Sequence, residues 1–246
     1  MSWEVAVVVT EYVIFVGICF WVLWQYPPAV PLVSSVQPPR ALGIFRVVCL
    51  VLFSAVWAID VYATRGFSLA YFTGWNFTLQ WIYFAWTIKA EFYPASGREA
   101  AILSLVFDVC LPMAFFVALV FWSLLYYPGV EFDLASDVQH GLNALCFAIE
   151  FAWNDRVLTA RHAPHVSLWP LIYFLFIWLS HDTLFDGGWP YDFMVLERPS
   201  APLWYLGMFL TQAVLFQIAL VASRYKQRWS NRSALNSKRP TVYGAV

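Results

Sequence analysis

Seven long runs of apolar residues divide this chain, and they constrain its fold more than any other feature of the sequence. The runs cover residues 5–25, 42–61, 71–92, 101–126, 138–155, 166–184 and 203–223. A helix needs about 20 mostly apolar residues to cross the hydrocarbon core of a bilayer, and each run is close to that length or exceeds it. The sequence therefore predicts an all-α fold, a polytopic membrane bundle of about seven transmembrane helices.

The composition excludes the other broad classes of protein. Charged residues make up only 12% of the chain, whereas a soluble domain carries about 25%. A hydrophobic content of 61% is incompatible with a disordered chain. An outer-membrane barrel would show short segments of alternating polarity instead of long runs. The net charge of −1 argues against a nucleic-acid partner, so the membrane itself is the predicted partner.

The breaks between the runs are short and rich in proline and glycine, and the chain shows no internal repeat. We therefore predict one transmembrane bundle domain over residues 1–225. Residues 226–246 are predicted to form a basic cytoplasmic tail that is flexible.

The positive charges indicate how the bundle is oriented, because loops that stay in the cytoplasm are rich in lysine and arginine. If the seven runs all span, twelve of the fourteen basic residues fall on one side of the membrane. These are Arg40, Arg46, Lys89, Arg98, Arg156, Arg161, Arg224, Lys226, Arg228, Arg232, Lys238 and Arg239. Only Arg65 and Arg198 fall on the other side. The count predicts an outer or lumenal N-terminus and a cytoplasmic C-terminus, and the acidic loop with Glu131, Asp133 and Asp137 is then outside.

Two of the predicted spans carry polar stripes at helical spacing. The third span has Thr73, Asn76, Gln80, Tyr83 and Thr87, and the fifth has His140, Asn143, Glu150 and Asn154. Steps of three and four residues place each set on one helix face. Polar side chains at bilayer depth are costly, so both faces are predicted to point into the bundle.

The predicted orientation also places several polar residues at one membrane depth, near the outer end of their spans. They are Thr73, Asn76, His140, Asn143, His181 and Asp182. A threonine hydroxyl becomes a nucleophile when a neutral histidine within about 2.6–3.2 Å takes its proton. In this hypothesis the amides of Asn76 and Asn143 support an oxyanion, and His181 and Asp182 orient the base or line the mouth of the site. Gln80 and Glu150, on the same two faces, are predicted to support the pocket.

Two further interpretations of the buried polar residues stay open. The stripes are also typical of hydrogen bonds that hold helices together, worth about 0.6 kcal/mol each. The deeper carboxylates Glu11, Asp108 and Glu150 could be neutral, could pair with Arg46 or Lys89, or could relay protons in a transporter. The cysteines show no CxxC pair and no zinc spacing, so neither a metal nor an organic cofactor is predicted.

Three segments of the chain resemble a known family. Residues 70–80 (AYFTGWNFTLQ), followed by Tyr83 and Phe84, are similar to the first conserved span of the androgen-induced-gene family and of the related rolling-stone proteins. Residues 137–143 (DVQHGLN), with Glu150 beyond them, are similar to the second segment, and residues 187–193 (GGWPYDF) to the element after the sixth span. The resemblance covers roughly residues 40–225. The chain departs from the family pattern at three places. It has an extra first span, it has Asp192 where the family has proline, and it has the single His181 where the family is histidine-rich.

The resemblance implies a multi-pass membrane threonine hydrolase that cleaves fatty acid esters of hydroxy fatty acids. It implies that Thr73 is the nucleophile and His140 the base. The substrate would be a lipid that arrives through the bilayer, in the endoplasmic reticulum or the plasma membrane. The rolling-stone proteins, named for a role in myoblast fusion, imply a non-enzymatic function in adhesion or fusion instead. A proton-coupled transporter and a seven-helix receptor are two further hypotheses.

Overall fold

A computed structural model describes residues 2–27, 39–93, 95–127 and 134–237, with side chains as far as Ser230. The proline-rich stretch 28–38 and Pro94 lie outside the described residues. So do Glu131 and Asp133 of the acidic loop, and Lys238 and Arg239 of the predicted tail.

Eight helices follow one another along the described chain. They are α1 (Trp3–Gln25), α2 (Arg40–Ala63), α3 (Phe72–Phe92), α4 (Gly97–Val120), α5 (Leu134–Asp137), α6 (Asn143–Trp153), α7 (Ala163–Ser180) and α8 (Ala201–Ser237). A π-helical turn, Phe121–Leu125, extends α4, and a second one, Val138–Leu142, joins α5 to α6 into one continuous helix. The described chain therefore has seven long helices, of which the α5–α6 helix is the fifth.

The predicted all-α bundle is confirmed, and no strand occurs in the described ranges. Five helices in these ranges are long and apolar enough to cross a membrane: α1, α2, α4 with its π turn, α7 with the turn before it, and α8. This finding is compatible with a multi-pass membrane protein. Helices α3 and α5–α6 are not among those long and apolar enough to cross a membrane. These two helices carry the polar stripes.

Both polar stripes point into the bundle, as predicted from their spacing. Asn76, Gln80, Tyr83 and Thr87 of α3 are buried, and so are Asn143, Glu150 and Asn154 at the α6 end. Helix α3 packs between α2 and α4, and α6 packs against α4 and α2. A helix that is enclosed by apolar neighbours can carry polar groups that bond to each other, because it does not present them to lipid.

Aromatic side chains fill the space between these central helices. The ring of Phe53 on α2 stacks on Phe77 of α3, with 4.6 Å between the centroids. Phe84 of α3 reaches Phe147 of α6 at 5.3 Å, and Phe107 of α4 reaches the same ring. These rings are almost completely buried, so they fix the lateral order of α2, α3, α4 and α6 through dispersion and ring contacts.

The start of α3 is held by the segment that precedes it. The 3₁₀ turn Phe67–Ala70 folds back on the first turn of α3, and the indole N–H of Trp75 donates to the carbonyl oxygen of Leu69 over 2.9 Å. A Cβ atom at Gly74 would clash with the carbonyl oxygen of Ser68. Glycine therefore permits this close approach, which positions the first helical turn and Thr73 with it.

Helix α8 runs through the predicted domain boundary at residue 225. Lys226 lies at the end of α6, where its ammonium group donates to Asn154 Oδ1 over 2.9 Å and to the carbonyl oxygen of Arg156. The first residue of the predicted tail is thus packed against the bundle, and the helix continues to Ser237.

Candidate active site

The structure brings Thr73 and His140 into contact. Thr73 stands at the second residue of α3, and His140 lies in the π turn between α5 and α6. The distance from Thr73 Oγ1 to His140 Nε2 is 3.3 Å. This is slightly longer than an ideal hydrogen bond between a hydroxyl and an imidazole nitrogen, and it is in the range of catalytic hydrogen bonds in ligand-free sites.

The second ring nitrogen of His140 determines which nitrogen carries the proton. Nδ1 lies 2.9 Å from the carbonyl oxygen of Ser136 and 3.2 Å from the hydroxyl of the same residue. A carbonyl oxygen can only accept, so in the neutral ring Nδ1 holds the proton and donates it there. Nε2 then presents a lone pair to the hydroxyl of Thr73. This is the tautomer that a general base needs in order to take a proton from Thr73.

The two π turns fix the position of the imidazole ring. Phe121, in the turn that extends α4, stacks on His140 with 3.8 Å between the ring centroids and 14° between the planes. The indole N–H of Trp122 donates to the carbonyl oxygen of His140 over 2.8 Å. A π turn leaves backbone carbonyls out of the ordinary helical pattern, and here one of them accepts from a side chain of the neighbouring helix. His140 is therefore held through both its ring and its backbone.

Thr73 faces a cavity of about 470 Å³, a volume that includes its open mouth. The walls come from α3, α4, α7, α8 and the segment between α7 and α8. They are almost entirely apolar, with Phe116, Val120, Phe174 and Met208 among the lining residues. The hydroxyls on the walls belong to Thr73, Tyr173 and Tyr191. The apolar lining suits a hydrocarbon chain.

The amides that we predicted as oxyanion donors are engaged elsewhere. Asn76 Nδ2 donates to the carbonyl oxygen of Phe72, and its Oδ1 accepts from the indole of Trp169. Asn143 Nδ2 donates to Oε1 of Gln80 over 3.1 Å. These three side chains are buried and join helices α3, α6 and α7. Their described bonds are those of interhelical contacts, and the oxyanion role of Asn76 and Asn143 stays a prediction.

His181 and Asp182 lie just beyond the end of α7. His181 Nδ1 is 2.7 Å from Asp182 Oδ1, and the imidazole packs on Trp189 with 4.5 Å between the centroids. The carboxylate of Asp182 is largely exposed. The described contacts of this pair are within the α7–α8 connection, and its predicted role at the mouth of the site stays a prediction.

Glu150 belongs to a second buried cluster, further along the α5–α6 helix. Arg46 of α2 donates to both of its carboxylate oxygens, the closest contact being 2.6 Å. The phenol of Tyr83 and the amide of Asn154 also donate to Glu150 Oε1. Arg46 reaches Glu91 at 2.6 Å as well. Of the two partners that the sequence left open for Glu150, the structure selects Arg46, and Lys89 instead pairs with Glu99.

The second deep carboxylate, Asp108, has its own partner. Asp108 Oδ2 lies 2.8 Å from Nδ1 of His162 and accepts from the backbone N–H of Thr159. Glu150 and Asp108 are thus held in separate polar clusters.

The predicted set omitted three residues that shape the site: Tyr191, Phe121 and Ser136. Tyr191 accepts a hydrogen bond from the backbone N–H of Phe72 at the start of α3, over 3.1 Å. The sequence did carry a signal for it, since Tyr191 lies in the third segment of the family resemblance. Phe121 and Ser136 had no signal in the sequence, because their roles depend on which helices are neighbours.

Comparison with family models, with curated proteins and with solved structures finds no match to this chain.

Proposed function

We propose that this protein is a multi-pass membrane hydrolase of lipid esters, with Thr73 as the nucleophile and His140 as the general base. The observation that carries the proposal is the 3.3 Å contact between Thr73 Oγ1 and the proton-accepting nitrogen of His140, at the edge of an apolar cavity. A nucleophile, a base and a group that orients the base are the minimum for acyl transfer. Here the carbonyl oxygen of Ser136 is the orienting group.

The reaction proceeds in two stages through an acyl-enzyme. Thr73 Oγ1 attacks the ester carbonyl carbon while its proton moves to His140 Nε2. The tetrahedral intermediate collapses, the bond to the leaving alcohol breaks, and His140 gives its proton to that oxygen. Water then attacks the threonine ester, again with His140 as base, and releases the fatty acid.

The cavity indicates the chemical class of the substrate. A lining this poor in polar groups accepts a hydrocarbon chain without leaving a buried polar group unpaired. The acyl chain of the ester is the part that fits it. The family resemblance adds the class of ester, a fatty acid ester of a hydroxy fatty acid, which reaches the site by diffusion within the bilayer.

The orientation of the protein in the membrane is part of the proposal. The distribution of lysine and arginine supports an outer or lumenal N-terminus and a cytoplasmic C-terminus. The Thr73–His140 pair then lies near the outer or lumenal face, in the endoplasmic reticulum or the plasma membrane. The Arg46–Glu150 cluster lies nearer the cytoplasm.

Filling the cavity tests the assignment of the acyl chain. Val120 of α4 lines the cavity, and its neighbour Leu119 is 48% exposed on the outer face of the same helix. We expect V120W to lower kcat/KM for a nitrophenyl palmitate about tenfold or more, because the indole fills space that the bound chain needs and such overpacking costs about 1–3 kcal/mol. Hydrolysis of the acetate ester should change little, because a two-carbon chain does not reach past Thr73.

The matched control is L119W, which adds the same indole to the lipid-facing side. Both variants are assayed with purified protein in liposomes. Two results would contradict the assignment of this cavity to the acyl chain. One is an equal fall in kcat/KM for the palmitate and acetate esters in V120W, and the other is the same fall in kcat/KM for the palmitate ester in L119W.

A further inference from the structure

Tyr191 extends from the connection between α7 and α8 to the start of α3. It immediately precedes the 3₁₀ turn Asp192–Met194, and its hydroxyl oxygen accepts from the backbone N–H of Phe72. The ring stacks on Phe193 with 5.2 Å between the centroids, and it also contacts the ring of Tyr71 at 5.9 Å. These contacts hold the phenol oxygen beside the first turn of α3. Tyr191 and Thr73 line the same cavity.

The other two hydroxyls on the cavity walls direct their protons elsewhere. Tyr173 donates to the carbonyl oxygen of Ala70 over 3.1 Å. Thr73 donates to Nε2 of His140 in the tautomer described above. Each hydroxyl has one proton to donate, so the phenol O–H of Tyr191 is the hydroxyl donor that remains among the described residues lining the cavity.

The position of Tyr191 makes it a strong donor. The N-terminus of a helix carries a partial positive charge, and here α3 presents it to the phenol oxygen. A hydroxyl that accepts one hydrogen bond donates the next one more strongly. Burial raises the pKa of Tyr191 to about 12, and the hydrogen bond from the backbone N–H of Phe72 opposes that rise. The phenol therefore keeps its proton at neutral pH.

We infer that Tyr191 is a catalytic residue that stabilises the oxyanion of the tetrahedral intermediate on Thr73. The inference rests on the proposed function. When Thr73 Oγ1 bonds to the ester carbon, the π electrons of the carbonyl move to its oxygen, and the proton of Thr73 goes to His140 Nε2. The phenol O–H of Tyr191 turns to that charged oxygen and donates to it without giving up the proton. The electron pair returns to the carbonyl when the alcohol leaves, and the hydrogen bond from Tyr191 weakens as the negative charge disappears.

This assignment is consistent with the engagement of the Asn76 and Asn143 amides in contacts between helices. The donor comes instead from the α7–α8 connection, on the cavity side of Thr73. An oxyanion donor must be held at the place where charge develops, and must not need to reorganise the surrounding structure. Rotation of one hydroxyl meets that requirement.

The test is Y191F, which removes the hydroxyl and keeps the ring. We expect kcat/KM for ester hydrolysis to fall about 10²- to 10³-fold, the usual effect of removing one oxyanion donor. Tyr205→Phe is the matched control. Its hydroxyl is also buried but bonds to the carbonyl oxygen of Met194 and to the indole of Trp178, away from Thr73.

A pair of inhibitors separates catalysis from a structural effect. A long-chain trifluoromethyl ketone forms a tetrahedral adduct with an oxyanion, whereas the ether analogue of the same chain length does not. We expect Y191F to weaken inhibition by the ketone about 10²-fold or more and to leave inhibition by the ether unchanged. Equal weakening of both inhibitors would overturn the inference, because it would show that the variant only deforms the cavity.

The outcomes also distinguish this inference from the proposed function. If T73A is inactive and Y191F keeps wild-type kcat/KM, the hydrolase assignment holds and the role of Tyr191 is wrong. If T73A keeps wild-type activity, the proposed function itself fails, whatever Y191F does.

Discussion

Replacing Thr73 by alanine is expected to abolish ester hydrolysis, with kcat reduced about 10³-fold or more. In the proposed mechanism the variant removes the atom that forms the acyl-enzyme, so only substrate binding and oxyanion stabilisation can still contribute. Replacing His140 by alanine should lower kcat about 10²- to 10⁴-fold, the usual contribution of a general base. The kcat of the double variant should be no lower than that of T73A, because the two residues act as one unit in the proposed mechanism.

The chain offers a matched control for T73A on the same helix. Thr78 donates to the carbonyl oxygen of Gly74 over 2.7 Å and accepts from the indole of Trp57. T78A removes a hydroxyl that faces another helix, and it should keep the activity. A second control is T73S, which retains a hydroxyl beside His140 and should remain active. Turnover of a fatty acid ester by purified protein in liposomes is the measurement, and an active T73A would refute the mechanism.

The second large effect is expected on stability, from the buried cluster around Glu150. Replacing Arg46 by methionine (R46M) removes the cation. The carboxylate of Glu150, which is fully buried, then has lost its charge partner. Loss of one member of a buried ion pair costs about 3–5 kcal/mol of unfolding free energy. We expect a large fall in the thermal midpoint of the protein in detergent, even though Arg46 is remote from Thr73.

Two comparison variants make the stability prediction specific. Lys89 and Glu99 form an exposed ion pair, with 57% and 37% of the side chains accessible. K89M should therefore leave the thermal midpoint almost unchanged. Adding E150L to R46M should recover much of the loss, because it removes the unpaired charge. A normal midpoint for R46M would show that the cluster does not hold the bundle together.

The same variants address the hypothesis of a proton-coupled transporter. Arg46, Tyr83 and Asn154 all donate to Glu150 in the structure. A carboxylate that is saturated in this way is typical of a structural cluster that joins helices. A proton carrier would need to lose and regain these partners in each cycle.

Much of the fold could be predicted from the sequence, because it depends on local periodicity. The apolar runs predicted the seven long helices, and the three- and four-residue steps predicted which faces of α3 and α6 are buried. The same runs predicted that α3 and α5–α6 are transmembrane helices like the other five. The structure distinguishes them as central helices whose polar groups lower their apolar character.

The lateral arrangement could not be predicted, because periodicity gives the depth of a residue and not its neighbour. Thr73 and His140 were expected at one depth, and their distance became known only from the packing of α3 against the π turn at His140. Tyr191 reaches α3 from a connection that is 119 residues further along the chain than Phe72. No residue pattern indicated the π turns at Phe121 and His140.

Covalent labelling of the nucleophile would decide whether Thr73 carries the acyl group. Purified protein in liposomes is treated with a long-chain fluorophosphonate and digested, and the modified peptide is sequenced by mass spectrometry. We predict that the label sits on Thr73 Oγ1 and that labelling is lost in T73A and strongly reduced in H140A. A label on any other residue, with T73A labelled as fast as the wild type, would contradict the proposed mechanism.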